Sequence, residues 1–163
     1  MRLIDASGHG VELRVTGYQF PDDPARRYSW HMVEGSATCP EGAWTFRYPA
    51  LTCDDSPHVA VWLRRAARSA DAPADAGPPA GLRFTEPNLT LAVAGRSSGL
   101  VTLDVGLDLE FSPPWDHRHR AGDPYVVRCR LAPRRIEEAA GDWEREIAPY
   151  PNGPGTPAPA GDA

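Results

Sequence analysis

Lysine is entirely absent from this chain of 163 residues, and all 17 of its basic residues are arginine. The chain therefore has no lysine for a Schiff base, for general-base catalysis or for a phosphate-binding P-loop. The formal net charge is −5. This charge disfavours a general nucleic-acid binder, because such proteins neutralise phosphates with a basic surface. We therefore expect no nucleic-acid partner.

Long hydrophobic runs are also missing. No apolar stretch approaches the roughly 18 residues of a membrane-spanning helix. Near the N-terminus, Asp5 and His9 interrupt the segment in which a secretion signal needs its apolar region. We therefore expect no membrane partner and a cytoplasmic location.

Cysteine is scarce, and the common catalytic motifs are missing. Cys39, Cys53 and Cys129 are widely spaced and form no CxxC pair, which excludes zinc-ribbon and thioredoxin-like sites. In a reducing cytoplasm we expect them to be small buried thiols. The sequence contains no GxSxG, GxGxxG or Walker loop, so the usual nucleophile and nucleotide sites are excluded as well.

The chain length fits a single domain. Proline, alanine and glycine concentrate in two stretches, residues 69–81 and 149–163, which lack the apolar residues needed for a core. We predict one domain over residues 1–148, with 69–81 as a flexible loop inside it. Residues 149–163 are predicted to form a disordered C-terminal tail.

Alternation of apolar and polar residues predicts a series of β-strands. The longest alternating run is 101–111, where every odd position is apolar; it predicts one continuous strand with a dry face and a wet face. A second strand region begins at Tyr28 and extends to about Thr38, and its alternating residues Tyr28, Trp30 and Met32 are predicted to face the core. The other predicted strands are residues 3–4, 11–16, 44–48, 82–84, 89–93 and 125–131.

Two segments carry the apolar spacing of amphipathic helices. The first has Ser56 as a possible cap and Pro57 at the first helical position, and it should end near Ala70. The second begins at Pro133 and has an apolar stripe that ends at Ile147. The order strands, helix, strands, helix predicts an α+β fold. We expect a mainly antiparallel sheet of about seven or eight strands with two helices packed on one face.

A row of carboxylates is the first candidate site. Asp104, Asp108 and Glu110 would share the wet face of the predicted strand 101–111. Residues four apart on a strand are about 13 Å apart, too far for an acid–base pair in glycoside hydrolysis. The row is either a solvated face or a docking surface for a cationic partner. Trp115 follows two prolines at the strand exit and either locks the loop or anchors an interface.

Two further hypotheses remain open. Asp116, His117 and His119 lie within four residues and could ligate a metal, which with Glu110 would suggest a metal-dependent enzyme. A solvated loop is the alternative, and we expect no metal and no cofactor. A small-molecule binder is the other hypothesis, and it requires an apolar pocket whose lining residues would be Tyr18, Trp30 or Trp44.

Several short strings in this sequence together resemble a known family. In chain order, they are Gly17-Tyr18-Gln19-Phe20-Pro21, the segment from Trp30 to Gly35, Gly42-Ala43-Trp44-Thr45-Phe46, Leu51-Thr52 before the helix that carries Trp62-Leu63, Thr85-Glu86-Pro87-Asn88-Leu89 and Pro113-Pro114-Trp115. Their order and spacing over residues 2–148 resemble the WapI-type immunity proteins of bacterial polymorphic toxin systems. His31 stands where an apolar residue is expected in the family strand.

The resemblance implies an intracellular antidote with no catalytic residues. Such a protein would bind the cognate toxin domain, often a nuclease, and block it stoichiometrically. Asp104, Asp108, Glu110 and Trp115 are then the predicted partner-binding residues, but the resemblance assigns no toxin contact to any of them.

Overall fold

The computed structural model describes residues 1–73, 75–116, 120 and 122–154. Eight β-strands and two α-helices lie within these ranges, with short 3-10 turns at Ser69–Asp71 and Leu109–Phe111. The strands are β1 (Arg2–Ile4), β2 (Gly10–Tyr18), β3 (Trp30–Cys39), β4 (Gly42–Thr52), β5 (Leu82–Arg83), β6 (Leu89–Ser97), β7 (Leu100–Leu107) and β8 (Tyr125–Leu131). The helices are α1 (Ser56–Arg68) and α2 (Pro133–Ile147).

The strands form two separate antiparallel sheets of four strands each. The N-terminal sheet has the order β1-β2-β3-β4, and the C-terminal sheet has the order β5-β6-β7-β8. The predicted α+β class and the strand number are confirmed, whereas the prediction of one continuous sheet is wrong. The reason is that α1 and the segment after it separate β4 from β5, so that each sheet pairs only strands adjacent in sequence.

One hydrophobic core joins the two sheets. The helices pack against each other, α2 also packs on β1 and β2, and β8 lies beside the first three strands. The indole N–H of Trp143 donates to the Ser56 carbonyl at 2.7 Å and so ties the two helices together. The core contains the fully buried side chains Leu3, Leu13, Leu51, Leu63, Leu89, Leu91, Leu103, Leu107, Phe111, Ile136 and Trp143.

Strand β3 has the opposite phase from the prediction. His31, Val33 and Ala37 point into the core, while Trp30 and Met32 are only half-buried. The prediction followed the large aromatic and thioether side chains. The buried phase instead matches the register with β4, in which Val33 lies opposite Tyr48 and His31 opposite Leu51.

The strand predicted at 101–111 ends early, at Leu107. Asp108 accepts a hydrogen bond from the Leu109 amide at 2.6 Å and caps a 3-10 turn. Leu109 has a φ of 51°, a left-handed conformation that cannot continue a strand. The alternation of Leu107, Leu109 and Phe111 therefore crosses from a strand into a turn.

The two segments rich in proline and alanine are held to the domain at several points. Trp62 donates its indole N–H to the Ala80 carbonyl at 2.8 Å, and the Arg96 guanidinium donates to the carbonyls of Ser69 and Ala76. The prediction of a disordered tail from residue 149 is wrong for its first residues, because Tyr150 packs on the core and Tyr18 donates its hydroxyl to the Pro151 carbonyl at 2.7 Å.

Residues 155–163 of the predicted tail lie outside the described residues. In the part of the chain that is described, no helix combines the length and apolar character needed to cross a bilayer.

Candidate functional site

The predicted row of carboxylates does not form. Asp104 points outward from β7, where both its oxygens accept hydrogen bonds from Arg128 of β8, at 2.7 and 2.8 Å. Asp108 is only 1% exposed and accepts from the amides of Leu109 and Gly122. Glu110 is exposed on the 3-10 turn and accepts from Asn88 Nδ2 at 2.8 Å. The prediction of a single acidic face is therefore wrong, because the strand ends before Asp108.

Asp108 has a structural role instead. Its carboxylate receives the Leu109 amide on one oxygen and the Gly122 amide, at 2.7 Å, on the other. It joins the end of β7 to the segment that leads into β8. Asn88 adds a further contact, because its carbonyl accepts from the Asp108 amide at 3.0 Å.

Trp115 packs against the aromatic residues at the end of the N-terminal sheet. Its ring lies edge-on to Trp44, with the ring centroids 5.3 Å apart. It also covers Gly42, where an added Cβ would come within 2.9 Å of the indole ring. The partly buried ring thus fixes the loop after the 3-10 turn to the hairpin of β3 and β4.

Only part of the alternative metal site lies within the described residues. Asp116 donates its amide to the Pro113 carbonyl at 3.0 Å, whereas His117 and His119 lie outside the described residues. Among the residues that are described, no cluster of three or more histidine, cysteine or acidic side chains could hold a metal ion.

Two of the three rings predicted to line a small-molecule pocket, Trp44 and Tyr18, take part in packing, and the third, Trp30, is half-buried at the start of β3. Trp44 is buried and donates its indole N–H to the Phe111 carbonyl at 2.9 Å, and its ring also meets Tyr125 edge-on. Tyr18 packs edge-on against Tyr28 and Tyr150. An open cavity of about 520 Å³ lies elsewhere, between the first two strands and α2, and is lined by Met1, Arg2, Glu12, Val15, Asp142, Arg145, Glu146, Pro149 and Tyr150.

Two of the three cysteines are fully buried, as expected. Burial raises the pKa of Cys53 to about 11 and that of Cys129 to about 12, so both remain protonated thiols at neutral pH. Cys39 is partly buried and lies 3.3 Å from the Tyr125 hydroxyl.

The outer faces of the two sheets are the broad surfaces opposite the core. On the C-terminal sheet, residues of the outer face alternate with core residues of β5 to β8. They are Arg83, Thr90, Ala92, Thr102, Asp104, Gly106, Val126, Arg128 and Arg130. Sequence reasoning placed Arg128 and Arg130 opposite the apolar face of the last strand but did not treat them as a site. Their alternation with Val127, Cys129 and Leu131 was the available signal.

The architecture and these open polar faces define an α+β protein that presents extended strand surfaces to solvent. The model of the immunity protein WapI-like family matches residues 2–151, and the chain belongs to that family. No curated protein and no solved structure matches the chain.

Proposed function

We propose that this protein is a non-enzymatic antidote that binds the toxin domain of a cognate polymorphic toxin and blocks it by covering part of its surface. The match to the immunity family over residues 2–151 is the observation that carries the proposal. The packing of Trp44 and the structural role of Asp108 support it, because both residues stabilise the fold rather than line a reaction site.

A nuclease is the toxin class that we propose for the partner. Nucleases approach phosphates and tend to carry basic surfaces, and a partner with a net charge of −5 gains long-range attraction to them. An antidote to such a toxin acts where nucleic acids are exposed to attack, so we place the protein in the bacterial cytoplasm.

Co-expression with the toxin domain encoded beside this chain tests the proposal. We expect growth to be rescued and the two proteins to elute together on size exclusion. A toxin domain of the same enzymatic class from another system is the matched control and should not be rescued. Failure of rescue and of complex formation with every neighbouring toxin domain would contradict the proposal.

Titration of toxin activity separates occlusion from catalysis. If the antidote covers the toxin, residual activity should fall linearly and reach its minimum at equimolar antidote. If the protein instead modified the toxin or its product as an enzyme, much smaller amounts would suffice over time. That second outcome would favour the enzymatic alternative based on Asp116, His117 and His119.

A further inference from the structure

The outer face of the C-terminal sheet is an ordered array of short rows that run across the strands. One row contains Arg83, Thr90, Gly106 and Val126, and the next contains Ala92, Asp104 and Arg128. In a third row, Thr102 lies opposite Arg130. Rows on one face are about 7 Å apart, because alternate residues of a strand point the same way.

This face is cationic although the whole protein is acidic. It carries three arginines and one aspartate, and Asp104 is already engaged by Arg128 in a two-pronged pair. Within the described ranges, neither Arg83 nor Arg130 forms an ion pair, and the Arg130 side chain donates to Ser97 Oγ at 3.1 Å. Two guanidinium groups at opposite corners of the face are therefore available to a partner's carboxylates.

The outer face of the N-terminal sheet differs in its charge pattern. There Arg14, Glu34 and Arg47 form one row across three strands, and Arg14 pairs with Glu34 at 2.6 Å. Arg2 lies opposite Glu12 in the neighbouring row. Positive and negative side chains thus alternate on this face, so it offers no surface of a single sign.

The centre of the cationic face is small and partly apolar. Thr90 and Ala92 are small, half-buried residues of β6 that leave room for another protein to approach the sheet closely, whereas Gly106 beside them is buried under Pro124, whose Cβ and Cγ would lie 3.1 Å from an added Cβ. Val126 is 46% exposed at the edge strand and is one of two large apolar side chains left open to solvent in the described chain. A centre made of small side chains and flanked by arginines is suited to a protein surface that carries carboxylates, since the guanidinium group pairs with a carboxylate through two parallel hydrogen bonds.

We infer that the outer face of the C-terminal sheet is the surface that docks the toxin domain, and that it receives an acidic patch of the toxin. The inference rests on the proposed function and specifies the contact through which it acts. The toxin's phosphate-binding surface is basic if the toxin is a nuclease, so this face binds a different part of the toxin. The net charge of the antidote then promotes approach, and the cationic face sets the orientation.

A paired charge reversal tests the inference. The double variant Arg83→Glu with Arg130→Glu removes two exposed cations and leaves the Asp104–Arg128 pair intact. We expect its affinity for the toxin domain encoded beside this chain to fall about 100-fold, and the salt dependence of the remaining binding to weaken. Isothermal titration at low and high salt measures both.

The control is Arg2→Glu with Arg47→Glu on the outer face of the N-terminal sheet. It makes the same change in net charge on two exposed arginines, so it reports the effect of overall charge alone. We expect its affinity to change by less than about threefold, since exposed charges far from an interface are largely screened. Equal losses in the two double variants, or no loss in either, would overturn the inference.

A bulky substitution separates contact from charge. Ala92→Arg adds a positive side chain to the middle of the cationic face, and Thr45→Arg adds one to the outer face of the N-terminal sheet, on its edge strand β4. If the face is buried in the complex, Ala92→Arg should weaken binding despite its added cation, while Thr45→Arg should not. Unchanged binding by Ala92→Arg would exclude this face.

The remaining outcomes are also decisive. If wild-type protein binds the toxin and the Arg83→Glu and Arg130→Glu variant binds equally well, only the docking inference fails. If wild-type protein binds no neighbouring toxin domain, the proposed function fails and the inference fails with it. If wild-type protein binds a short DNA duplex and this variant does not, the face belongs to nucleic acid and the inference is wrong.

Discussion

His31 connects three parts of the chain inside the core. The side chain is 1% exposed, with Nε2 2.8 Å from the Tyr150 carbonyl and Nδ1 2.7 Å from Ser56 Oγ. A carbonyl only accepts, so Nε2 carries a hydrogen. In the neutral ring, Nδ1 has only a lone pair, so it accepts the Ser56 hydroxyl hydrogen in competition with the Thr52 carbonyl, which lies 3.1 Å from the same hydroxyl. The imidazole thus links β3 to the start of α1 and to the segment that follows α2.

Burial lowers the pKa of His31 below its ordinary value of 6.5, and the hydrogen bond to Tyr150 opposes this only in part. The unfolded chain therefore takes up a proton at a higher pH than the folded chain does. We predict that the free energy of unfolding is largest above pH 6.5 and falls as the pH drops below it. Chemical unfolding at a series of pH values measures this slope.

Two variants assign the slope to this residue. His31→Gln removes the titrating group and should flatten the dependence between neutral and mildly acidic pH, even though the variant is less stable overall. His58 is exposed on α1, and His58→Gln should keep the wild-type slope. Loss of the slope in His58→Gln, or its survival in His31→Gln, would contradict the assignment.

The sequence showed which charged and aromatic residues the predicted site contains, but it did not show what each of them does in the folded protein. An aspartate at a polar position of the alternating run 101–111 suggested an exposed carboxylate, and nothing local to Asp108 distinguishes that from a buried cap. Its two amide donors, Leu109 and Gly122, are brought to it by the fold. Arg128 and Arg130 were visible in the alternation of the last strand, but the pairing of Arg128 with Asp104 depends on how the strands pair.

Strand β3 shows how one glycine permits a packed sheet. At Gly35, an added Cβ would lie 2.6 Å from the Glu12 carbonyl, from Leu13 Cδ2 and from Phe46 Cε2. The side chains of the two neighbouring strands close over this position. A backbone oxygen in a sheet cannot move away as a flexible side chain can, so the position excludes any side chain.

We predict that Gly35→Ala lowers the free energy of unfolding by about 2 kcal/mol, the usual cost of overpacking a core. Gly95→Ala is the matched control, because that glycine also lies in a strand and has no atom within 4 Å of the added Cβ. The control should change stability by less than about 0.5 kcal/mol. Urea unfolding of both variants would show the difference, and similar values would refute the packing argument.

At the level of elements, periodicity predicted both helices and most strands. The apolar stripes of α1 and α2 are buried as the spacing required. The prediction of a strand at 109–111 was wrong, because apolar residues continue to occupy the odd positions through the 3-10 turn that follows β7. Periodicity also failed in β3, where the buried phase is set by pairing with β2 and β4.

The division into two sheets is a property of the whole molecule that the strand pattern did not reveal. Each sheet is a simple meander followed by a helix, so local pairing accounts for both. What unites them is contact between elements distant in sequence: α1 with α2, and β8 with the N-terminal strands. These contacts support the proposal that residues 1–148 act as one domain.

We predict that the two sheets unfold together. Thermal unfolding followed by tryptophan fluorescence and by far-ultraviolet circular dichroism should give coincident midpoints, since Trp44, Trp62 and Trp143 all belong to the shared core. A chain whose sheets were independent would show two separated transitions. That result would contradict the single-domain proposal.

The packing of α2 on β1 and β2 also has a consequence for synthesis on the ribosome. Strands β1 and β2 must wait for α2 before their inner side is covered. Until then the growing chain has an incomplete interior, however well its early hairpins have formed. A cell that makes this protein therefore gains a completed core only after α2 has been translated.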